Sequence, residues 1–101
     1  MSEAPEPLSL AALKAAKAIR RERFVSVGGV PSKRYMVDVR EVLAAAGLAS
    51  SIAEADALIH RGELEIDGRT FNPGPVDSPE TELKLGSVLR IVGQRVVKLV
   101  D

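Results

Sequence analysis

The stretch that decides the fold covers residues 37–70 and reads VDVREVLAAAGLASSIAEADALIHRGELEIDGRT. Its first part spaces apolar residues as an α-helix does and stops at Gly47, a residue typical of the position just beyond a helix. A second helical pattern begins at Ser51, and Glu54 three positions later completes a capping box. Polarity then alternates up to Asp67-Gly68, the strongest short-range signal for a β-hairpin. We therefore expect a helical hairpin followed by strands.

The flanking sequence extends this pattern into one domain of residues 8–101. Residues 1–7, which include two prolines, are expected to form a disordered leader, and residues 9–23 are rich in helix formers. Residues 24–36 contain two adjacent glycines and a proline, which favours a short extended piece followed by a loop. Residues 83–100 are rich in β-branched side chains and predict a C-terminal hairpin. The expected fold class is α+β, with an N-terminal helix and a helical hairpin packed on a small, mostly antiparallel sheet.

Composition narrows the functional class. The chain has 101 residues, of which 46% are apolar, with no cysteine and a single histidine. Disulfides and thiolate metal sites are therefore excluded, and the lack of a long apolar run argues against a membrane span or a signal peptide. The sequence contains no catalytic triad, metal-ligand cluster or glycine-rich phosphate loop. We expect a cytoplasmic protein that is no enzyme by itself, with no cofactor, metal, membrane or small-molecule substrate.

Charge is distributed unevenly although the formal net charge is zero. Residues 1–36 carry seven basic and three acidic side chains, a balance of +4, so the rest of the chain carries −4. Such asymmetry indicates an anionic partner, because Lys and Arg displace counterions from phosphates. Within the predicted first helix, Lys14, Lys17 and Arg21 share the face opposite the apolar residues. Solvation of a helix explains the same stripe, and both interpretations stay open at this point.

Residues 37–70 also carry a family resemblance. The positions that match the family pattern are Leu43, Gly47, Leu48, Ala49, Ser51, Glu54, Ala55, Leu58, Ile59, Gly62, Leu64, Ile66 and Gly68. In these positions the stretch resembles the RNA-binding domain named after the fourth small-subunit ribosomal protein, here called the S-four-type domain. The ending LRIVGQRVVKLV, residues 89–100, looks like the closing strands of the C-terminal domain of bacterial and organellar tyrosyl-tRNA synthetases.

The resemblance implies a concave RNA-binding surface, called αL, made by the paired helices and the following hairpin. It implies structured RNA as the partner, tRNA above all. The chain is then either a free-standing small protein or a domain with a catalytic synthetase domain upstream. RNA helices are recognised chiefly through phosphates, 2′-hydroxyls and shape, so such a surface needs cations. The candidate RNA contacts are Lys33, Arg34, Arg40, Ser51, His60, Arg61 and Arg69, supported by Lys14, Lys17 and Arg21.

Several positions depart from the family pattern. Four positions that are usually basic in the family are Asp38, Ile52, Asp56 and Ala57 in this chain. Losing that many phosphate contacts lowers RNA affinity by orders of magnitude. Two functions are therefore considered. The first is an RNA-binding module whose surface has moved toward the N-terminal cations. The second is a degenerate domain that serves as a protein-interaction or structural appendage.

Overall fold

The computed structural model describes residues 5–72, 79–93 and 95–101. In chain order the elements are β1 (Glu6–Ser9), α1 (Leu10–Ala15), β2 (Ile19–Val27), β3 (Val30–Asp38), α2 (Val39–Ala45), α3 (Ile52–His60), β4 (Leu64–Ile66), β5 (Arg69–Thr70), β6 (Glu80–Leu83), β7 (Val88–Ile91) and β8 (Val96–Val100). None of the helices in the described ranges is long and apolar enough to cross a membrane.

The strands form two sheets around one core. The five-stranded sheet has the order β1-β8-β7-β4-β5, and the three-stranded sheet has the order β2-β3-β6. β1 runs parallel to β8, whereas the other neighbouring strands are antiparallel. The buried side chains come from all three helices and both sheets, among them Leu13, Val37, Leu43, Ile59, Leu83, Leu89 and Leu99. This core is almost entirely aliphatic, as the scarcity of aromatic residues predicts.

The architecture predicted from the sequence is wrong: the fold is α+β, but sheets rather than helices dominate it. The helix expected over residues 9–23 ends at Ala15, and Ile19–Val27 forms β2 instead. Residues 20–23 are good helix formers in isolation. Because β2 pairs along its length with β3, this long-range pairing outweighs the local propensity. A hairpin therefore replaces the second half of the expected helix, and it also replaces the short extended piece and loop expected over residues 24–36.

The connection between β2 and β3 is a tight turn. Gly28 and Gly29 have φ values of 59° and 81°, in the left-handed region that a two-residue hairpin turn requires. Pro31 is tolerated in β3 because it lies opposite Ser26, in the non-hydrogen-bonded pair next to the turn. Its nitrogen faces away from β2, and β6 pairs only with residues 35–38 of β3. No neighbouring strand therefore needs an N–H from Pro31.

Both terminal strands belong to the five-stranded sheet. Glu6 and Pro7, expected in the leader, are part of β1, which pairs with β8. Residues 1–4 lie outside the described residues. Within the range 83–100, β7 and β8 form the antiparallel hairpin, while Leu83 ends β6 in the other sheet. Gln94, at the predicted turn of this hairpin, is outside the described residues.

The two central helices are present and have the predicted caps. Ser51 Oγ accepts a hydrogen bond from the Glu54 N–H at 3.1 Å, and Glu54 Oε1 accepts one from the Ser50 N–H at 3.1 Å. Gly47 follows α2 with a φ of 74°. α2 and α3 pack against each other, and Asp67-Gly68 forms the turn between β4 and β5. In this part of the chain, local sequence signals determine the local structure.

Candidate nucleic-acid interface

β2 and β3 form a long hairpin, residues 19–38, which we call the ribbon. The third strand of its sheet, β6, pairs only with residues 35–38. In the part of the chain that the structure describes, the outer part of the ribbon therefore has two strands and no third strand beside them. Almost all side chains of β2 are exposed, whichever face of the strand they lie on. A two-stranded ribbon of this kind offers both of its faces to a ligand.

One face of the ribbon carries three arginines. Arg21 and Arg23 lie two positions apart on β2 and so share a face, and Arg34 of β3 lies directly opposite Arg23. We call Arg21, Arg23 and Arg34 the arginine face. Arg23 donates hydrogen bonds to Glu82 Oε2 from Nη2 at 2.6 Å and from Nε at 3.0 Å. Among the described residues, Arg21 and Arg34 have no ion-pair partner.

Repulsion within the arginine face is only partly offset. Like charges directly opposite each other on two strands destabilise the pairing, and Arg23 and Arg34 are such a pair. Glu82 neutralises Arg23 alone. Phosphate groups bound on this face would replace the repulsion by charge-assisted hydrogen bonds, for which the guanidinium geometry is well suited. The arginine face therefore has the chemistry of a phosphate-binding surface.

The opposite face of the ribbon is aromatic. Phe24 is 71% exposed, and Lys33 lies opposite it in the register, with Nζ 5.8 Å from the Phe24 ring centroid. The same ammonium is 5.6 Å from the Tyr35 ring centroid and 3.1 Å from a carboxylate oxygen of Glu22. The hydrogen bond to Glu22 raises the pKa of Lys33 above its ordinary value, so Lys33 is charged at neutral pH. Although adjacent in sequence, Lys33 and Arg34 therefore lie on opposite faces.

A buried carboxylate joins the base of the ribbon to α2. Asp38 is 1% exposed and accepts hydrogen bonds from Arg20 Nη2 at 3.0 Å and from the Arg40 N–H at 3.0 Å. The register shift between Ile19 and Arg21 places Arg20 in a bulge, from which its side chain reaches Asp38. Burial alone would raise the pKa of Asp38, but the hydrogen bonds from Arg40 and Arg20 outweigh it and hold the pKa below its ordinary value. Arg40, a candidate RNA contact, is thus engaged within the protein.

The candidates of the αL surface lie at the end of α3 and on β5. His60 Nδ1 donates to the Asp56 carbonyl oxygen at 2.9 Å, and Arg61 forms an ion pair with Glu63. Arg69 begins β5 and has no ion-pair partner among the described residues. The chain just after α3 runs beside β5, so Arg61 and Arg69 occupy the same corner of the molecule. The carboxylates of Glu63, beside Arg61, and of Asp56, beside His60, reduce the positive charge of this corner.

The remaining candidates lie on other elements. Ser51 caps α3, so its hydroxyl oxygen is already used by the Glu54 N–H. Lys14 lies in the last turn of α1, Lys17 follows the helix with a φ of 57°, and both side chains are exposed. No group of three His, Asp or Glu side chains within the described ranges is placed to hold a metal ion. The candidates that the structure brings together are Arg21 with Arg34 on one face, and His60, Arg61 and Arg69 at one corner.

Sequence reasoning missed Arg23, which is central to the arginine face, and Arg20, which binds Asp38. The signal that could have identified Arg23 lies in the residues on either side of Gly28-Gly29. In two strands joined by a turn there, successive side chains alternate between the two faces. If that dipeptide is a hairpin turn, counting outward from it places Arg23 opposite Arg34. A helical assignment for residues 9–23 hides this pairing, because it gives the arginines a period of 3.6 residues instead of two.

In comparisons with known proteins, no family model matches the chain and no curated protein matches it. The resemblance of residues 37–70 to the S-four-type domain therefore rests on the sequence pattern alone and stays a prediction.

Proposed function

We propose that this chain is an RNA-binding module that holds structured RNA, with tRNA as the first candidate, through the phosphate backbone. The observation that carries the proposal is the arginine face: three arginines on one exposed side of a ribbon, with Arg23 and Arg34 directly opposite each other. In a chain of zero net charge, this concentration of positive charge is local rather than general. Local concentration of this kind is the electrostatic footprint of a polyanion-binding site.

The shape of the arginine face favours a chain of phosphates over one small anion. Successive side chains on one face of a strand are about 7 Å apart, so Arg21 and Arg23 extend along the ribbon instead of converging on a point. Arg34 widens the array across to the second strand. An array of this extent matches a row of phosphates, as in a nucleic acid backbone, more closely than it matches one small anion. Structured RNA presents such a backbone together with 2′-hydroxyl groups.

The resemblance of residues 37–70 to the S-four-type domain supports the same proposal. In that family the paired helices and the following hairpin bind RNA, and in this chain the corresponding corner holds Arg61 and Arg69. Under the proposal this corner adds a second, weaker contact to the one made by the ribbon. The chain would then be the tRNA-binding C-terminal domain of a cytoplasmic tyrosyl-tRNA synthetase, or a free-standing relative of that domain.

A second candidate function is a protein-interaction or structural appendage that does not bind RNA strongly. The observation that favours it is the pairing of His60 with Asp56 and of Arg61 with Glu63, which reduces the positive charge of the αL corner. The acidic side chains on α3 would then face a basic partner. Only the first candidate predicts tRNA binding at low salt, which makes the two candidates separable.

The test is a titration of the full chain with labelled tRNA at several salt concentrations. We expect binding at about 50 mM salt that weakens by at least tenfold near 200 mM, because each phosphate contact releases counterions. A neutral polymer of similar length serves as the control and should not bind. Absence of tRNA binding at about 50 mM salt, where electrostatic contacts are strongest, would contradict the proposal and favour the appendage.

A further inference from the structure

We propose that Phe24 is a stacking platform for an unpaired base. The preferred ligand is then an RNA helix interrupted by a bulge or loop, rather than a continuous duplex. This inference rests on the RNA-binding function proposed above and specifies the class of RNA that the ribbon recognises.

The exposure of Phe24 sets it apart from the other aromatic residues of the chain. Tyr35 is buried and Phe71 packs against the core, whereas Phe24 is 71% exposed on the outer part of the ribbon. A phenylalanine that gains nothing from the core leaves a large apolar surface in water. The ring is therefore available to a partner.

The surroundings of Phe24 favour a nucleic acid base as that partner. Lys33 Nζ lies 5.8 Å from the ring centroid, and Arg23 is the preceding residue on the other face of the strand. Proteins that bind single-stranded nucleic acid combine such elements: bases stack on aromatic rings, and neighbouring cations hold the backbone. The ion pair between Glu22 and Lys33, at 3.1 Å, keeps the ammonium beside the ring.

A lipid bilayer is a poorer partner for the same ring. The exposed apolar residues nearest the turn are Val27 and Val30, which are 55% and 64% exposed, and Phe24 lies further back along the ribbon. Insertion deep enough to bury Phe24 would also take the charged pair of Glu22 and Lys33 out of water, which is costly. A base stacked on the ring face opposite Lys33 covers the ring while both charges stay hydrated.

The position of the ring indicates an unpaired base. Phe24 and the arginine face lie on opposite sides of the ribbon, so one ligand reaches both only by passing around an edge. β2 is an edge strand of its sheet, and no strand among the described residues pairs with its outer edge, which leaves a path for such a ligand. Bases in a continuous duplex are stacked on each other, whereas those in bulges and loops can be splayed onto aromatic side chains. An RNA helix with a flexible unpaired segment can therefore bind the arginine face through its phosphates and place an unpaired base on Phe24.

The experiment compares two RNAs with the full chain. One is a continuous duplex of about 20 base pairs, and the other is the same duplex with a short bulge that carries a fluorescent adenine analogue. We expect the wild-type chain to bind the bulged RNA about tenfold more tightly, with a change in the analogue's fluorescence on stacking. Phe24→Leu should lose both the preference and the fluorescence change. Val27→Ala, which shortens another exposed apolar side chain of the ribbon, should retain them.

Each alternative outcome has a defined meaning. Equal wild-type affinity for the two RNAs, or an undiminished preference in Phe24→Leu, would overturn base stacking while leaving the RNA-binding proposal intact. Failure to bind either RNA at about 50 mM salt would contradict both proposals. Binding to phosphatidylserine-containing vesicles that depends on Phe24, without preference for the bulged RNA, would overturn the inference in favour of a membrane. Circular dichroism melting of Phe24→Leu confirms that the variant is folded.

Discussion

At the scale of single residues, Asp38 connects the ribbon to the helical part of the domain. Its carboxylate is buried, caps α2 through the Arg40 N–H and binds the side chain of Arg20 from the bulge in β2. Arg20 itself is half exposed, so water competes for one side of the pair. A buried carboxylate with charged donors stabilises the fold only while it is ionised, and this makes its contribution dependent on pH.

Asp38→Asn should lower the free energy of unfolding by about 1–3 kcal/mol at neutral pH, because charge-assisted hydrogen bonds from Arg20 and Arg40 become neutral ones. The pKa of Asp38 is lowered in the folded state, so its stabilisation is complete well above the ordinary carboxyl value of 3.8 and is lost as pH falls through the folded-state pKa. The difference between the wild type and the variant should therefore shrink in acid. Urea unfolding at several pH values measures it.

An exposed aspartate provides the control for this prediction. Asp56→Asn removes a carboxylate whose partner, His60, is also exposed, and should change stability by less than about 1 kcal/mol at neutral pH. An Asp38→Asn variant as stable as the wild type at neutral pH would show that the ion pairs of Asp38 contribute nothing. An equal loss at neutral and acid pH would show that the loss has another cause.

At the scale of elements, local signals predicted the two central helices and the hairpin turn that follows them. The capping box at Ser51, the glycine after α2 and the Asp67-Gly68 turn each act within a few residues of chain, and all three are found. The ribbon could not be predicted in the same way, because Arg20, Arg21 and Arg23 are helix formers that become strand only by pairing with residues 30–38. β1 likewise exists through a parallel pairing with the far end of the chain.

The candidate site also combines features that nearby residues determine with features that depend on long-range strand pairing. Arg21 and Arg34 were identifiable as cations from composition, but their common face and the opposition of Arg23 and Arg34 depend on the register of two strands. The family resemblance pointed instead to the end of α3, where Asp56 and Glu63 pair with the candidate cations. The count of charges along the sequence therefore identified residues 1–36 as the basic part of the chain. The arginine face became visible only from the pairing of β2 with β3.

The outer part of the ribbon should open more easily than the rest of the domain. Within the described ranges it has two strands without a third, whereas β7 lies between β8 and β4 in the five-stranded sheet and contributes buried side chains to the core. We expect amide hydrogen exchange in residues 23–34 to be at least about tenfold faster than in β7 at hydrogen-bonded positions. Bound RNA should slow exchange in residues 23–34 and leave β7 unchanged. Uniform protection in the free chain, or slowing confined to α3, would contradict the prediction.

At the scale of the whole molecule, zero net charge conceals a local excess of positive charge on the ribbon. The arginine face has one carboxylate, Glu82, against three arginines, whereas the corner at the end of α3 pairs Arg61 with Glu63 and His60 with Asp56. Affinity for a polyanion depends on the local excess of cations, not on the total. If the chain binds RNA, the ribbon should therefore supply most of the binding energy.

The most direct test of that claim compares tRNA binding by two double variants that each lose two positive charges. We expect Arg21→Gln with Arg34→Gln to weaken binding by at least about tenfold at 50 mM salt and to lower the salt slope by about two, since two phosphate contacts are removed. Arg61→Gln with Arg69→Gln should weaken binding by less than about threefold, because Glu63 already offsets Arg61. A larger loss from the second variant than from the first, or no loss from the first, would contradict the assignment of RNA binding to the arginine face.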